Sequence, residues 1–261
     1  MEKQSPRVSV VLPTYNRGSI IQHAIRSIID QSFKDWELIV VDDGSDDSTK
    51  RIVESFAYPR IIYKKTEHTG FVSRVRNEGN RLASGEIIVV QDSDDMSLPD
   101  RLEEIVKAFE EDPEADVIYH GMYQRYFDPY HDAIVRKSKP ALPYSKERLT
   151  TEQYIPGQVA YRRSLALKCP YDERIRCCDD YQILLEFSLS GAKFKPIYKN
   201  LYEYADSPDS INVNGEKDGS RRNDIKIILS ILKEKYGVEK SATLVKNTID
   251  TNETISREDI I

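Results

Sequence analysis

The segment Val89-Val90-Gln91-Asp92-Ser93-Asp94-Asp95 runs a short apolar stretch straight into three carboxylates. Carboxylate oxygens are hard ligands, so Asp-Ser-Asp at a strand end offers what Mn²⁺ or Mg²⁺ takes, and such a cation neutralises phosphates. On its own the segment also reads as a solvated acidic turn. Two further polar groups follow apolar runs in the same way, Pro13-Thr14-Tyr15-Asn16 and Asp42-Asp43. A nucleotide diphosphate has its charge met either by a glycine-rich loop at a helix N-terminus or by a carboxylate-held metal. No G-x-G-x-x-G follows the first apolar run and no G-x-x-x-x-G-K-[ST] occurs, which disfavours a dinucleotide dehydrogenase or a P-loop NTPase.

These clusters need a scaffold, and the periodicity supplies one. Arg7 to Leu12 reads as a strand, and Ile20, Ile21, Ala24, Ile25, Ile28 and Ile29 then recur at helical spacing. Trp36 to Val41 is a second strand, ended by a turn whose polar residues can cap a helix beginning near Asp46. Arg60 to Lys65 is a third strand, Gly70 to Ala83 a helix, Glu86 to Gln91 a fourth strand, and Asp116 to Tyr119 a fifth. Between the last two, Leu102, Ile105, Val106 and Phe109 form one helical face.

Such alternation predicts an α/β fold with a mostly parallel sheet, right-handed crossovers and helices on both faces. Ligands of such sheets bind beyond the carboxyl ends of the strands, where strand order reverses. With order 3-2-1-4, Thr14, Asp42 and Asp92 all meet one crevice.

The expected organisation is a nucleotide-binding half over residues 1–120 and an acceptor-side, catalytic half of the same domain over 121–238. The second half carries a helix from Tyr181 to Leu189 and a last helix with Ile225, Ile228, Leu229, Leu232 and Tyr236 on one side. Residues 239–261 read as a polar tail, loosely ordered or forming an additional helix.

With 261 residues, 39% hydrophobic and 31% charged, the chain has the composition of an ordinary globule with a sizeable core. Its apolar runs are strand-sized, far short of a membrane span, and its first residues lack a secretory core, so the expectation is a cytoplasmic protein. A net charge of −6 argues against nucleic acid or anionic lipid as a general partner, although Arg221-Arg222 could form a local basic patch. Cys169, Cys177 and Cys178 make no disulfide framework and show no zinc spacing, and read as core residues. The four histidines offer no paired ligand pattern.

Four ordered segments carry a resemblance: Val10 to Arg17, Glu37 to Thr49, Arg76 to Gly79, and Asp92 to Asp95 with Pro99-Asp100-Arg101-Leu102. Together they resemble the successive signatures of the family 2 glycosyltransferases with the GT-A fold, over roughly residues 7 to 110. The resemblance implies an inverting transfer of a sugar from a nucleotide diphosphate donor, a UDP-sugar foremost, assisted by Mn²⁺ or Mg²⁺. The acceptor would be a glycan or a lipid- or protein-linked chain in surface glycan synthesis, with peripheral contact at the inner face of the membrane compatible with it. By the same resemblance Pro13, Thr14, Tyr15 and Asn16 would line the nucleotide pocket, with Tyr15 on the base and Asp42 holding the base or ribose. Arg76 would approach the nucleotide, Asp92 and Ser93 the ribose or donor sugar, and Asp94, with Asp92, the metal.

An inverting displacement also needs a group that removes the acceptor proton. Cys177-Cys178-Asp179-Asp180-Tyr181 resembles the family's acidic pair before a helix, with Asp180 at the base position and Asp179 orienting it or raising its pKa. The structural alternative for Asp180 is an N-cap. Many relatives carry a histidine in a later loop, where this chain has Asp206-Ser207-Pro208-Asp209-Ser210, leaving Asp206 or Asp209 as candidate metal ligands. A sugar-nucleotide nucleotidyltransferase shares the framework, but it opens with a glycine-rich basic loop that is missing here. A binding module without turnover keeps the same residues.

Overall fold

The computed structural model describes residues 5–128, 133–205 and 217–237. Four parallel strands form its N-terminal half: β1 (Val8–Thr14), β2 (Trp36–Asp42), β3 (Ile61–Lys65) and β4 (Ile87–Val90). Helices α1 (Ile21–Ile29), α2 (Thr49–Ser55) and α3 (Val72–Leu82) connect them, in the spatial order β3-β2-β1-β4 that the alternation predicts. The strands β1, β2 and β4 are largely buried on both faces because helices cover both, while β3 at the sheet edge is half-exposed and ends in Lys64 and Lys65. Val8, Val10, Leu12, Leu38 and Val40 pack on one side with Ile21, Ile25 and Ile28 of α1, while Val11, Ile39 and Val41 pack on the other with Val75 of α3.

The sheet then changes direction. β8 (Ala160–Arg162) pairs antiparallel with β4, and β6 (Val117–Asp128) pairs antiparallel with β8 and parallel with β9 (Phe194–Ala205). β5 (Met96–Ser97) and β7 (Ala133–Lys139) complete nine strands by pairing with β9 and β6. Helices α4 (Arg101–Glu111), α5 (Lys146–Leu149), α6 (Arg163–Lys168), α7 (Asp179–Leu189) and α8 (Ser220–Tyr236) flank this half.

Three departures from the sequence reading have physical causes. The fifth expected strand does not stop at Tyr119 but continues to Asp128, through a polar, aromatic stretch that pairs by backbone rather than by an apolar face. The position expected to divide the halves therefore falls inside a strand. The two-residue β5 is too short to leave a period. Residues 206–216, with Asp206 and Asp209, and residues 238–261, which include the polar tail, lie outside the described residues. No described helix is long and apolar enough to cross a membrane.

Candidate active site

A cleft of about 990 Å³ opens over the carboxyl ends of β1, β2 and β4 and is walled on the far side by residues 153–158 and the start of α7. Pro13, Thr14, Tyr15, Asn16, Arg76, Asp92, Ser93, Asp94, Asp179 and Asp180 all line it. Thr14 Oγ1 is buried in its wall without a hydrogen-bond partner. Asp42 does not reach the cleft. It is fully buried, with Oδ1 accepting from Ser45 N–H at 2.8 Å and Oδ2 from the Tyr63 hydroxyl.

Strand alternation explains the exchange, because the residue after Asp42 points to the opposite side. Asp43 lines the cleft, where its Oδ1 accepts from Thr69 N–H at 2.9 Å and its Oδ2 from Gly70 N–H at 2.8 Å. His68 Nδ1 lies 2.8 Å from the Asp43 carbonyl, and its ring stacks on half-exposed Tyr15 with centroids 4.1 Å apart. Gly44 makes this approach possible: its φ is +81°, and a Cβ there would stand 2.7 Å from His68 N. Asp42 is no helix cap either, since α2 starts at Thr49 and Asp47 receives the Thr49 N–H.

At the end of β4 the three carboxylates have separate surroundings. Asp92 uses both oxygens on the protein, Oδ1 accepting from Arg76 Nη2 and Oδ2 from Gln158 Nε2, each at 2.7 Å. Asp94 faces the cleft with Arg17 3.8 Å away, and burial and the Asp92 charge raise its pKa against the pull of Arg17. Asp95 is buried, its Oδ1 accepts Ala205 N–H at 2.7 Å, its Oδ2 has no hydrogen-bond partner among the described residues, and burial with the Asp92 and Asp94 charges raises its pKa well above the usual carboxylate range against the pull of Ala205 N–H and the Tyr202 hydroxyl. An orphaned carboxylate oxygen beside a cleft-facing carboxylate fits the donor set of a hard divalent cation, whereas both Asp92 oxygens are already hydrogen-bonded.

Arg76 joins this segment to α7. Its Nη1 donates to Asp179 Oδ2 at 2.5 Å while its Nη2 holds Asp92, all within a buried setting. Arg76 lines the cleft as expected, with its two terminal nitrogens on the Asp179 and Asp92 carboxylates and its Nε without a hydrogen-bond partner among the described residues. Burial pushes Asp179 up to about 7, with Arg76 opposing and Asp180 and Asp92 reinforcing.

Asp180 sits in the first turn of α7, where Cys178 rather than Asp180 is the N-cap. Its Oδ1 accepts Tyr181 N–H and its Oδ2 accepts from Gln153 Nε2, both at 2.8 Å. A Cβ on Gly157 would fall 2.7 Å from Asp180 Oδ2, so only glycine leaves that carboxylate its place. Gln153, Gly157 and Gln158 form one wall of the site and carry no motif. Their single sequence signal is the turn dipeptide Pro156-Gly157.

The profile of glycosyl transferase family 2 matches residues 9–169, from β1 through β4 and the acidic segment to α6. The chain belongs to glycosyl transferase family 2. It is 28% identical over 215 residues to the uncharacterized glycosyltransferase MJ1057 of Methanocaldococcus jannaschii, covering 78% of this chain and 72% of that one. The match spans 64–72% of the length of three such curated relatives and as little as 38% of another. Among solved structures, S. aureus TarS 1-349 in complex with UDP-GlcNAc superposes with a TM-score of 0.68 at 19% identity, over 87% of this chain and 67% of that one. The mannosyltransferase PcManGT from Pyrobaculum calidifontis, in complex with GDP-Man and Mn²⁺, superposes with 0.63 at 21% identity, over 87% and 64%. The architecture is the GT-A fold of such transferases.

The segment matched by glycosyl transferase family 2 ends before Asp179 and Asp180, and beside Arg76 and Gln153 a residue from later in the chain also fixes the turn that leads into them. Asp224 of α8 is 1% exposed and accepts the N–H groups of Arg176, Cys177 and Cys178, the residues leading into the acidic pair. A carboxylate taking three successive backbone donors holds the entry to α7 in place. No motif on α8 announces it.

Proposed function

We propose that the protein transfers a sugar from a nucleotide diphosphate donor, a UDP-sugar foremost, to an acceptor hydroxyl with inversion at the anomeric carbon. The observation that carries the reading is one cleft faced by both Asp94 and Asp180 and tied together beneath by Arg76. Tyr15 and His68 give the nucleoside base a stacked aromatic platform, and Asp43 stands beside it as an acceptor for base or ribose donors. TarS bound to UDP-GlcNAc and PcManGT bound to GDP-Man and Mn²⁺ share the fold, which supports a nucleotide-sugar donor and a divalent cation.

Mn²⁺ or Mg²⁺, when bound, neutralises the diphosphate that leaves, and Asp94 with Asp95 would hold it. Asp180 accepts the proton of the acceptor hydroxyl as that oxygen bonds to the anomeric carbon, and the bond to the diphosphate breaks with its electron pair leaving on phosphate oxygen. Gln153 and the Tyr181 N–H fix the two Asp180 oxygens, so the base is oriented before the acceptor arrives. The acceptor side of the cleft is built by residues 153–158 and by Met122, Gln124 and Lys139 of β6 and β7, where a glycan, free or lipid- or protein-linked, would lie.

Incubation with a panel of nucleotide sugars, Mn²⁺ and glycan acceptors tests this. Release of nucleoside diphosphate with a new glycosidic bond of opposite anomeric configuration is expected. A folded protein that binds a donor and releases nothing from any of them would instead be a binding module.

A further inference from the structure

We propose that Cys177, Cys178 and Asp224 form a second metal site, for one thiophilic divalent cation of the Zn²⁺ class, and that filling it inhibits transfer. All three residues are buried, and one ligand atom from each lies within 4.8 Å of the others. Cys177 Sγ is 4.0 Å from Cys178 Sγ and 3.2 Å from Asp224 Oδ2. Tetrahedral zinc with Zn–S near 2.3 Å and Zn–O near 2.1 Å sets its sulfurs about 3.8 Å apart and its S···O pairs about 3.6 Å apart. Two of the three pairs therefore stand within about half an ångström of that spacing, and the third, Cys178 Sγ to the Asp224 carboxylate, lies within 4.8 Å.

Access and selectivity follow from the same placement. Cys177 lines the cleft, so an ion arriving there meets a sulfur, and a water or Ser220 Oγ, 3.9 Å from Cys177 Sγ, is at hand for the fourth position. Two thiolates favour Zn²⁺ or Cd²⁺ over Mn²⁺ or Mg²⁺, which prefer the all-oxygen carboxylates near Asp94. Each thiol releases its proton to solvent as its sulfur bonds the cation, and Asp224 exchanges the Cys177 S–H for the metal. Adjacent cysteines completed by an aspartate 46 residues later match no zinc spacing, so the sequence reading passed over them.

Inhibition comes from the neighbours. Cys177 to Asp180 are consecutive, and Asp224 now spends its carboxylate on the N–H groups of Arg176, Cys177 and Cys178. Drawing both sulfurs and that carboxylate onto one ion re-forms the turn that aims Asp179 and Asp180.

Titration of the intact protein with Cd²⁺ alone reads the site without any reaction. One Cd²⁺ per chain, an ultraviolet thiolate-to-cadmium band and about two protons released are expected. Cys177→Ser and Cys178→Ser each remove the band, while Cys169→Ser keeps it and Asp94→Ala keeps it, which separates this site from the donor's cation. No band in folded wild-type protein, or the same band in the Cys177→Ser/Cys178→Ser double variant, overturns the site. In the transfer assay with Mn²⁺ held in excess, Zn²⁺ is expected to cut the rate at least tenfold over the range in which it displaces Cd²⁺. A rate unchanged at full occupancy overturns the inhibitory role.

Discussion

Arg76 and Asp179 stand 103 residues apart in the chain and 2.5 Å apart in the fold, joined in a buried ion pair at the floor of the cleft. The same guanidinium holds Asp92, so the end of β4 and the start of α7 are fixed relative to each other by one side chain. Donor side and acceptor side meet there.

Removing that link costs both stability and rate. Arg76→Ala leaves two carboxylates facing each other in a buried site and is expected to destabilise the fold by about 3–5 kcal/mol. Arg76→Lys keeps the charge but cannot reach both carboxylates with a planar fork, so its transfer rate is expected to fall tenfold or more with a smaller loss of stability. Urea denaturation and steady-state kinetics on both variants check this, and a lysine variant with wild-type rate would reduce Arg76 to a charge.

Asp180→Asn keeps the shape of the side chain and removes its basicity. Donor affinity is expected to stay nearly constant while transfer falls about a hundredfold or more, the usual worth of a general base. Calorimetric donor binding beside a transfer assay separates the two, and near-normal transfer would take the role away from Asp180.

Two adjacent aspartates are expected to behave oppositely. Asp43→Ala opens the wall beside Tyr15 and His68 and should weaken nucleotide binding about tenfold. Asp42→Ala strands the buried Ser45 N–H and Tyr63 hydroxyl, and should cost about 1–3 kcal/mol of stability with a lesser effect on nucleotide affinity. Thermal unfolding and nucleotide titration of the pair would exchange their results if Asp42 were the ligand.

His120 makes acid stability measurable. It is buried with Nε2 accepting from Arg101 Nε at 2.9 Å, and burial with the Arg101 charge pushes it down to about 3. The unfolded chain binds this proton near pH 6.5 and the folded chain does not until about pH 3, so stability falls as pH drops through that window. Between pH 7 and pH 5 the loss from His120 alone is about 2 kcal/mol. Asp179, raised to about 7, acts in the opposite sense, because its folded form binds the extra proton as pH falls below 7. Comparing wild type with His120→Gln cancels that contribution, and equal pH dependence of the two would contradict the assignment.

Most of the donor half was legible because parallel strands covered on both faces leave continuous apolar runs, and each run ended in a polar cluster. Thr14, Tyr15 and Asp94 are where that pattern sends them, and Asp180, read from the resemblance of its acidic pair, lines the same cleft. Asp42 was misplaced because one residue of register decides which face a strand's last side chain takes, and a pair of aspartates reads the same either way. Gln158, Asp224 and the bridging contacts of Arg76 escaped for another reason. Their work is done on partners 16 to 103 residues away, and such contacts leave no local period.

The central claim is that the cleft-facing carboxylate after β4 holds the cation that carries the donor's diphosphate. Calorimetric titration of Mn²⁺ and UDP into wild type and Asp94→Ala tests it most directly. The account predicts that Mn²⁺ strengthens UDP binding in wild type and that this enhancement disappears in Asp94→Ala, with thermal unfolding little changed. Mn²⁺-dependent UDP binding that is the same in both proteins would contradict it.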